Sequence, residues 1–276
     1  MRARVRPGTA AVSSAAAPSV SGSAGAGKEA SVPEPVTGDR DALLRRAMAG
    51  VSVPAGARVS AAVLAVDSGR RAVYGDAAFD TASIVKVDIL AALLLRAQDA
   101  GRRPAAAERA HAARMIEDSD NASATALWHR IGRAAGLDAA NRRFGLTGTA
   151  GGEGGLWGLT RTTAADRLVL LQQVFGEDSE LGADSRSYLQ GLMTSVRADQ
   201  RWGVSAAAEG TSWALKNGWL PRSTTGLWVV NSIGRVTVDG ADRLVAVLSD
   251  GTASRAEGIS LVEATARAAV SAVGAG

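Results

Sequence analysis

Three short groups of residues carry side chains able to move a proton: Ser83-Ile84-Val85-Lys86, Ser119-Asp120-Asn121 and Lys216-Asn217-Gly218. The lysines stand out because the chain otherwise avoids them. Of 31 basic residues only Lys28, Lys86 and Lys216 are lysine, and two of these three sit in the groups above. Arginine keeps its proton at any usable pH, whereas burial or a nearby cation can make a lysine neutral. On a helix, residues three apart share a face, so a neutral Lys86 could take the hydroxyl proton of Ser83. Neutrality near pH 7 requires a drop of about 3 pH units, roughly 4 kcal/mol. A helix N-terminus and a second cation such as Lys216 both push that way.

The other two groups admit two readings each. Ser119 offers a hydroxyl for a proton relay and Asn121 an amide for a substrate carbonyl, yet serine and aspartate there would equally cap a helix over the following residues. Lys216 offers a cation for a carboxylate and Gly218 room for close backbone approach, yet the same triplet would serve as a strand end and turn.

Composition narrows the chemistry. The chain has 276 residues, 46% of them hydrophobic, enough for one sizeable domain with a closed core. It has no cysteine, so thiol catalysis, disulfides and cysteine-bound metals are excluded. The two histidines, His111 and His129, lie in stretches that read as helix with no neighbour suited to a catalytic base. No metal or other cofactor is expected. A net charge of +4 without any long run of like charge argues against a nucleic-acid partner. No apolar stretch is long enough to span a membrane. Arginines at positions 2, 4 and 6 faintly resemble the start of an export signal, but the segment after them is poor in leucine, valine and isoleucine.

The elements that must position these groups are legible from periodicity. Residues 1–37 are mostly Ala, Ser, Gly, Pro and Val without a period, and are expected to be a disordered leader. A helix with Leu43, Leu44, Ala47 and Met48 follows, ending at Gly50. Residues 58–66 and 71–74 read as a hairpin around Asp67-Ser68-Gly69. Ser83 opens a helix with Val87, Leu90, Leu93, Leu94 and Ala97 on one side, and further helices are predicted over 108–116 and 123–131. Residues 145–160 are a glycine-rich loop. Thr162-Thr163 starts another helix, and one more covers 184–193. Strands are predicted at 212–216, 226–233 and 244–248, and a final helix at 257–273. The order implies an α+β fold. A five-stranded antiparallel sheet flanked by the terminal helices would occupy about 38–82 and 205–276, and an all-helical lobe about 83–204.

With the three groups in this order, at a helix start, an inter-helix break and a strand, the chain resembles the penicillin-recognising serine acyl-enzymes: class A β-lactamases and low-molecular-mass penicillin-binding proteins. The resemblance covers residues 38–276. It implies Ser83 as the acylated nucleophile, Lys86 as its base, Ser119 as the proton relay and Lys216 as a catalytic cation. It further implies a substrate cleft lined by Asn121, Asn217, Gly218 and Trp219, with the backbone N–H groups of Ser83 and Trp219 as the oxyanion hole. Arg222 is a further candidate for a substrate carboxylate. The implied substrate is a small β-lactam or a peptidoglycan-like amide or ester, and the implied protein is an extracytoplasmic monomer.

Three departures from the family pattern matter. Asn217 stands where a hydroxyl residue is usual. The stretch from Ser83 to Ser119 is short. The loop glutamate that activates the deacylating water in class A enzymes has no clear counterpart; Glu153 is the only glutamate in its place, without the usual Glu-x-x-Leu-Asn sequence. Three functions therefore stay open: a β-lactam-opening hydrolase, a D-Ala-D-Ala carboxypeptidase or transpeptidase, and a binding protein that retains the fold.

Overall fold

The computed structural model describes residues 37–274. Residues 1–36 of the expected leader lie outside the described residues, while Thr37 opens the first helix. In chain order the helices are α1 (Thr37–Met48), α2 (Val85–Asp99), α3 (Ala106–Glu117), α4 (Asn121–Ile131), α5 (Arg133–Phe144), α6 (Ala164–Phe175), α7 (Ala183–Thr194) and α8 (Arg255–Gly274). The strands are β1 (Arg58–Ala65), β2 (Arg71–Tyr74), β3 (Phe79–Asp80), β4 (Arg161–Thr162), β5 (Trp213–Pro221), β6 (Trp228–Val238) and β7 (Ala241–Thr252).

The main sheet is antiparallel throughout, ordered β2-β1-β7-β6-β5, which leaves β5 at an edge. Side chains alternate between its faces. Leu244, Ala246 and Leu248 of β7 point into the core built with α2, α4 and α6. Val245 and Val247 point the other way, into the core under α1 and α8. Alternating apolar residues on both faces require cover on both, which the helical block and the terminal helices supply. Among the described residues, no helix is long and apolar enough to cross a membrane.

Several expectations change in detail. The helix after Ser83 is not one-sided: every residue from Ile84 to Leu95 is buried, as suits a helix at the centre of a lobe. Strands β5, β6 and β7 are longer than expected, because Asn217-Gly218 continues straight through β5 and β6 turns into β7 at Asp239-Gly240. Both turn residues have positive φ (51° and 68°), the conformation two-residue hairpins require. Helix α5 was not anticipated. Its stripe is Leu137, Ala140, Asn141 and Phe144, correctly spaced but half made of small or polar residues.

The glycine-rich segment is a loop, with one addition. Its end pairs with the segment leading to Ser83: Phe79 is opposite Thr162 and Asp80 opposite Arg161. The Thr81 N–H also donates to the Thr160 carbonyl at 2.8 Å. The loop and the segment leading to Ser83 are thus one hydrogen-bonded unit.

Candidate active site

Ser83 is set by packing on all sides. From Phe79 to Leu95 it is the sole residue that is not buried. It lies in a single tight turn, Ala82–Ile84, immediately before α2. Asn231 of β6 holds the approach by donating from Nδ2 to the carbonyls of Asp80 (2.9 Å) and Thr81 (3.0 Å). Gly218 of β5 presses from the other side. A Cβ there would lie 2.7 Å from the amide nitrogens of both Ser83 and Ile84, so only glycine lets the strand reach the Ser83 backbone.

Ala82 and Ser119 both have non-glycine backbone in the left-handed region, with φ of 47° and 56°. Such a conformation costs about 1–3 kcal/mol and persists where surrounding structure enforces it. One of the two precedes Ser83; the other carries the Ser119 hydroxyl.

The two lysines converge on that hydroxyl. Lys86 Nζ lies 3.0 Å from Ser119 Oγ and donates to the Ser119 carbonyl at 2.6 Å and to Asn121 Oδ1 at 2.8 Å. Lys216 Nζ approaches Ser119 Oγ from β5, also at 3.0 Å, and donates to the Asn217 carbonyl at 2.9 Å. Gln200 Oε1 stands 3.5 Å from it. Both lysines are fully buried, and every hydrogen-bond partner they have among the described residues is neutral. Burial brings the Lys86 amine down to about 7 against a weaker upward pull from Asp120. Burial, and then the charge of Lys86, holds Lys216 well below the usual lysine range.

The capping reading of Ser119-Asp120-Asn121 holds, and it leaves the two flanking side chains available to the lysines. Asp120 caps α4, its carboxylate accepting from the Ser123 N–H at 2.7 Å. The residues on either side of it face the lysines. The hydroxyl of Ser83 has no hydrogen-bond partner among the described residues and is free to meet a substrate.

Not every expected residue joins this cluster. Lys216 and Gly218 point toward α2, so alternation sends Asn217 to the other face of β5. There its amide donates to the carbonyls of Gln200 (2.8 Å) and Trp202 (2.9 Å), and its side-chain oxygen is buried without a partner. Asn217 therefore braces the 200–202 turn and presents no donor to the cleft. The indole of Trp219 lies on that same far face, 5.8 Å from Trp202 and beneath Arg255, leaving only its backbone on the Ser83 side. Arg222 is committed to Asp80 at 2.6 Å. Glu153 is exposed, with no side-chain contact to either lysine. His111 and His129 bond to Ser123 and Arg133, apart from the cluster, in keeping with ordinary helical histidines.

Trp157 was not anticipated. The Lys86 ammonium sits over its ring, 5.0 Å from the centroid, and its Nε1–H donates to Thr125 Oγ1 of α4 at 3.2 Å. A tryptophan flanked by four glycines in the loop (Gly154, Gly155, Gly158 and Gly152) was the available signal.

The arrangement places the unbonded Ser83 hydroxyl three residues before a buried lysine whose amine burial brings down to about 7, with the Ser119 hydroxyl reached by both lysines. The β-lactamase enzyme family profile matches residues 108–273, more than half the chain, beginning after Lys86. No curated protein sequence matches. Among solved structures, a β-lactamase from Xanthomonas campestris is similar with a TM-score of 0.68 and 22% identity, over 87% of this chain and 99% of that one. PBP-A is similar with a TM-score of 0.69 and 22% identity, over 82% and 94%. A class A β-lactamase representative from Bacteroides cellulosilyticus reaches a TM-score of 0.70 at 14% identity, over 86% and 98%. At such identities the structures speak to the fold, which is the β-lactamase fold. With the profile match across most of both lobes, the chain belongs to the β-lactamase enzyme family.

Proposed function

We propose that the protein is a serine hydrolase that opens β-lactam or related amide and ester bonds through an acyl-Ser83 intermediate. The observation that carries this reading is the convergence of two buried lysines, with no carboxylate between them, on the single hydroxyl of Ser119.

In this reading Ser83 Oγ attacks the substrate carbonyl carbon, and its proton passes to the neutral Lys86 amine. The oxyanion is held by the N–H groups of Ser83 and Trp219, a reading supported by the close approach of Gly218, next to Trp219 on β5, to the Ser83 amide. The C–N or C–O bond then breaks. The proton leaves Lys86 through Ser119 to the departing atom, while Lys216 stabilises the relay and attracts the substrate's carboxylate. Asn121 orients the substrate amide and fixes Lys86 at 2.8 Å. In the second half, water attacks the ester, Lys86 accepts its proton, and Ser83 Oγ recovers one as the acyl bond breaks.

The second half is the weak one. No carboxylate contacts Lys86, and the ring of Trp157 occupies that side of the amine. This favours a penicillin-binding-type site, in which the acyl-enzyme with a β-lactam persists, and so favours a D-Ala-D-Ala peptidase as second reading. Three assays test the nucleophile and separate the readings. A fluorescent penicillin should label the wild type and not Ser83→Ala; equal labelling of both would reject the nucleophile. Release of D-alanine from a muramyl pentapeptide would select the peptidase reading, and rapid nitrocefin turnover the lactamase reading.

A further inference from the structure

The contact between Trp157 and Lys86 joins the loop to the catalytic base. The indole is placed by three independent elements. Thr125 of α4 accepts its Nε1–H at 3.2 Å. The turn Trp157–Leu159 packs against the turn holding Ser83, with the Gly158 carbonyl 3.5 Å from Thr81 Oγ1. The loop's base is anchored by Thr149, whose hydroxyl bonds to Asp166 at 2.6 Å and accepts from the buried Arg167 at 3.1 Å. Arg167 is itself paired with Asp88, two residues beyond Lys86 on α2.

We propose that Trp157 is a positioning residue for the general base: its indole closes water off the loop side of Lys86 and so keeps the amine able to accept the Ser83 proton. This rests on the function proposed above, in which Lys86 is that base.

A ring beside an ammonium acts in two opposite senses. Its quadrupole attracts the cation and favours the protonated form. Its bulk removes water and favours the neutral form. The other groups facing Lys86 decide which sense prevails. From the start of α4, Ser119 and Asn121 offer neutral acceptors. Asp120 is the charged group that favours the cation, and its carboxylate is engaged with the Ser123 N–H. From β5, Lys216 brings no counter-charge, and its own amine is lowered by burial and by the charge of Lys86. On α2 itself, Asp88 is neutralised by Arg167. Desolvation is the largest influence on Lys86, and the ring of Trp157 is the loop group set against the amine, 5.0 Å away.

The chain's three lysines make the test direct, since lysine labelled with carbon-13 at Cε gives three signals, assigned with Lys28→Arg and Lys216→Arg. The signals are titrated in the full-length wild type, Trp157→Ala and Trp157→Phe. The wild-type Lys86 midpoint is expected near 7. Trp157→Ala should raise it by about one pH unit or more as water returns. Trp157→Phe, which keeps the ring but not the N–H, should leave it close to wild type. A wild-type midpoint in the normal lysine range, or a midpoint that Trp157→Ala leaves unchanged or lowers, would overturn the proposal. No substrate is needed, so a low midpoint that depends on Trp157 in a protein unreactive toward penicillin would reject the acyl-enzyme reading alone.

Discussion

Lys86 and Asp88 lie two residues apart on one helix, both buried, and the fold treats them in opposite ways. Asp88 receives an arginine. Arg167 of α6, also fully buried, donates to both carboxylate oxygens at 2.6 Å. Burial pushes the Asp88 carboxyl up and Arg167 pulls it back. Lys86 receives no counter-ion. It has a backbone carbonyl, a hydroxyl, an amide oxygen, an aromatic ring and a second lysine. One group is built to keep its charge and the other to give it up. The first arrangement joins α2 to α6 and anchors the loop; the second is what the proposed mechanism uses as a base. In that proposal burial alone does not mark the catalytic group; burial with the counter-ion withheld does.

Substitutions that exchange the two treatments should have the largest effects. Lys86→Arg restores a permanent charge in the same place. Acylation by a β-lactam should fall about 10²–10⁴-fold, the usual contribution of a general base, as read by stopped-flow labelling. Retained acylation would mean that Lys86 is not the base. Arg167→Met removes the counter-ion from the structural pair. Leaving Asp88 buried and unpaired should cost about 3–5 kcal/mol in urea unfolding. Adding Asp88→Asn to that variant should recover part of the loss, and full additivity of the two changes would show that the pair does not act as a unit.

The smallest effect is the most diagnostic of the contrast. Lys86 titrates near 7 when folded and near 10.5 when unfolded. Between these values the unfolded chain holds a proton that the folded chain lacks, so stability rises with pH there, by up to about 1.4 kcal/mol per pH unit. Below 7 the full cost of burying the lysine is present. Lys86→Met should reduce the slope in unfolding curves recorded between pH 7 and 10, with the remainder coming from Lys216. An identical slope in wild type and variant would place Lys86 in the normal lysine range.

The site was legible where its information is local. Ser83 and Lys86 share a helix face by spacing alone, and Ser119, Asn121 and Lys216 sit in short groups whose neighbours announce a helix start and a strand. The pair Asp88–Arg167 joins residues far apart in sequence, and nothing local distinguishes Arg167 from the other arginines. Asn217 was misassigned although strand alternation could have placed it: if Lys216 faces the helical lobe, its neighbour faces away. The choice between Glu153 and Trp157 was beyond local reading, because glycine-rich backbone decides which loop side chain reaches Lys86. Helix α5 escaped notice because alanine and asparagine half fill its buried stripe.

The most direct test is intact-protein mass followed over time after mixing with benzylpenicillin, for wild type and Ser83→Ala together. The account predicts a one-to-one adduct on the wild type that forms faster as pH rises through about 7, persists for many minutes, and is absent from Ser83→Ala. Equal modification of both proteins, or none of the wild type at any pH, would contradict it.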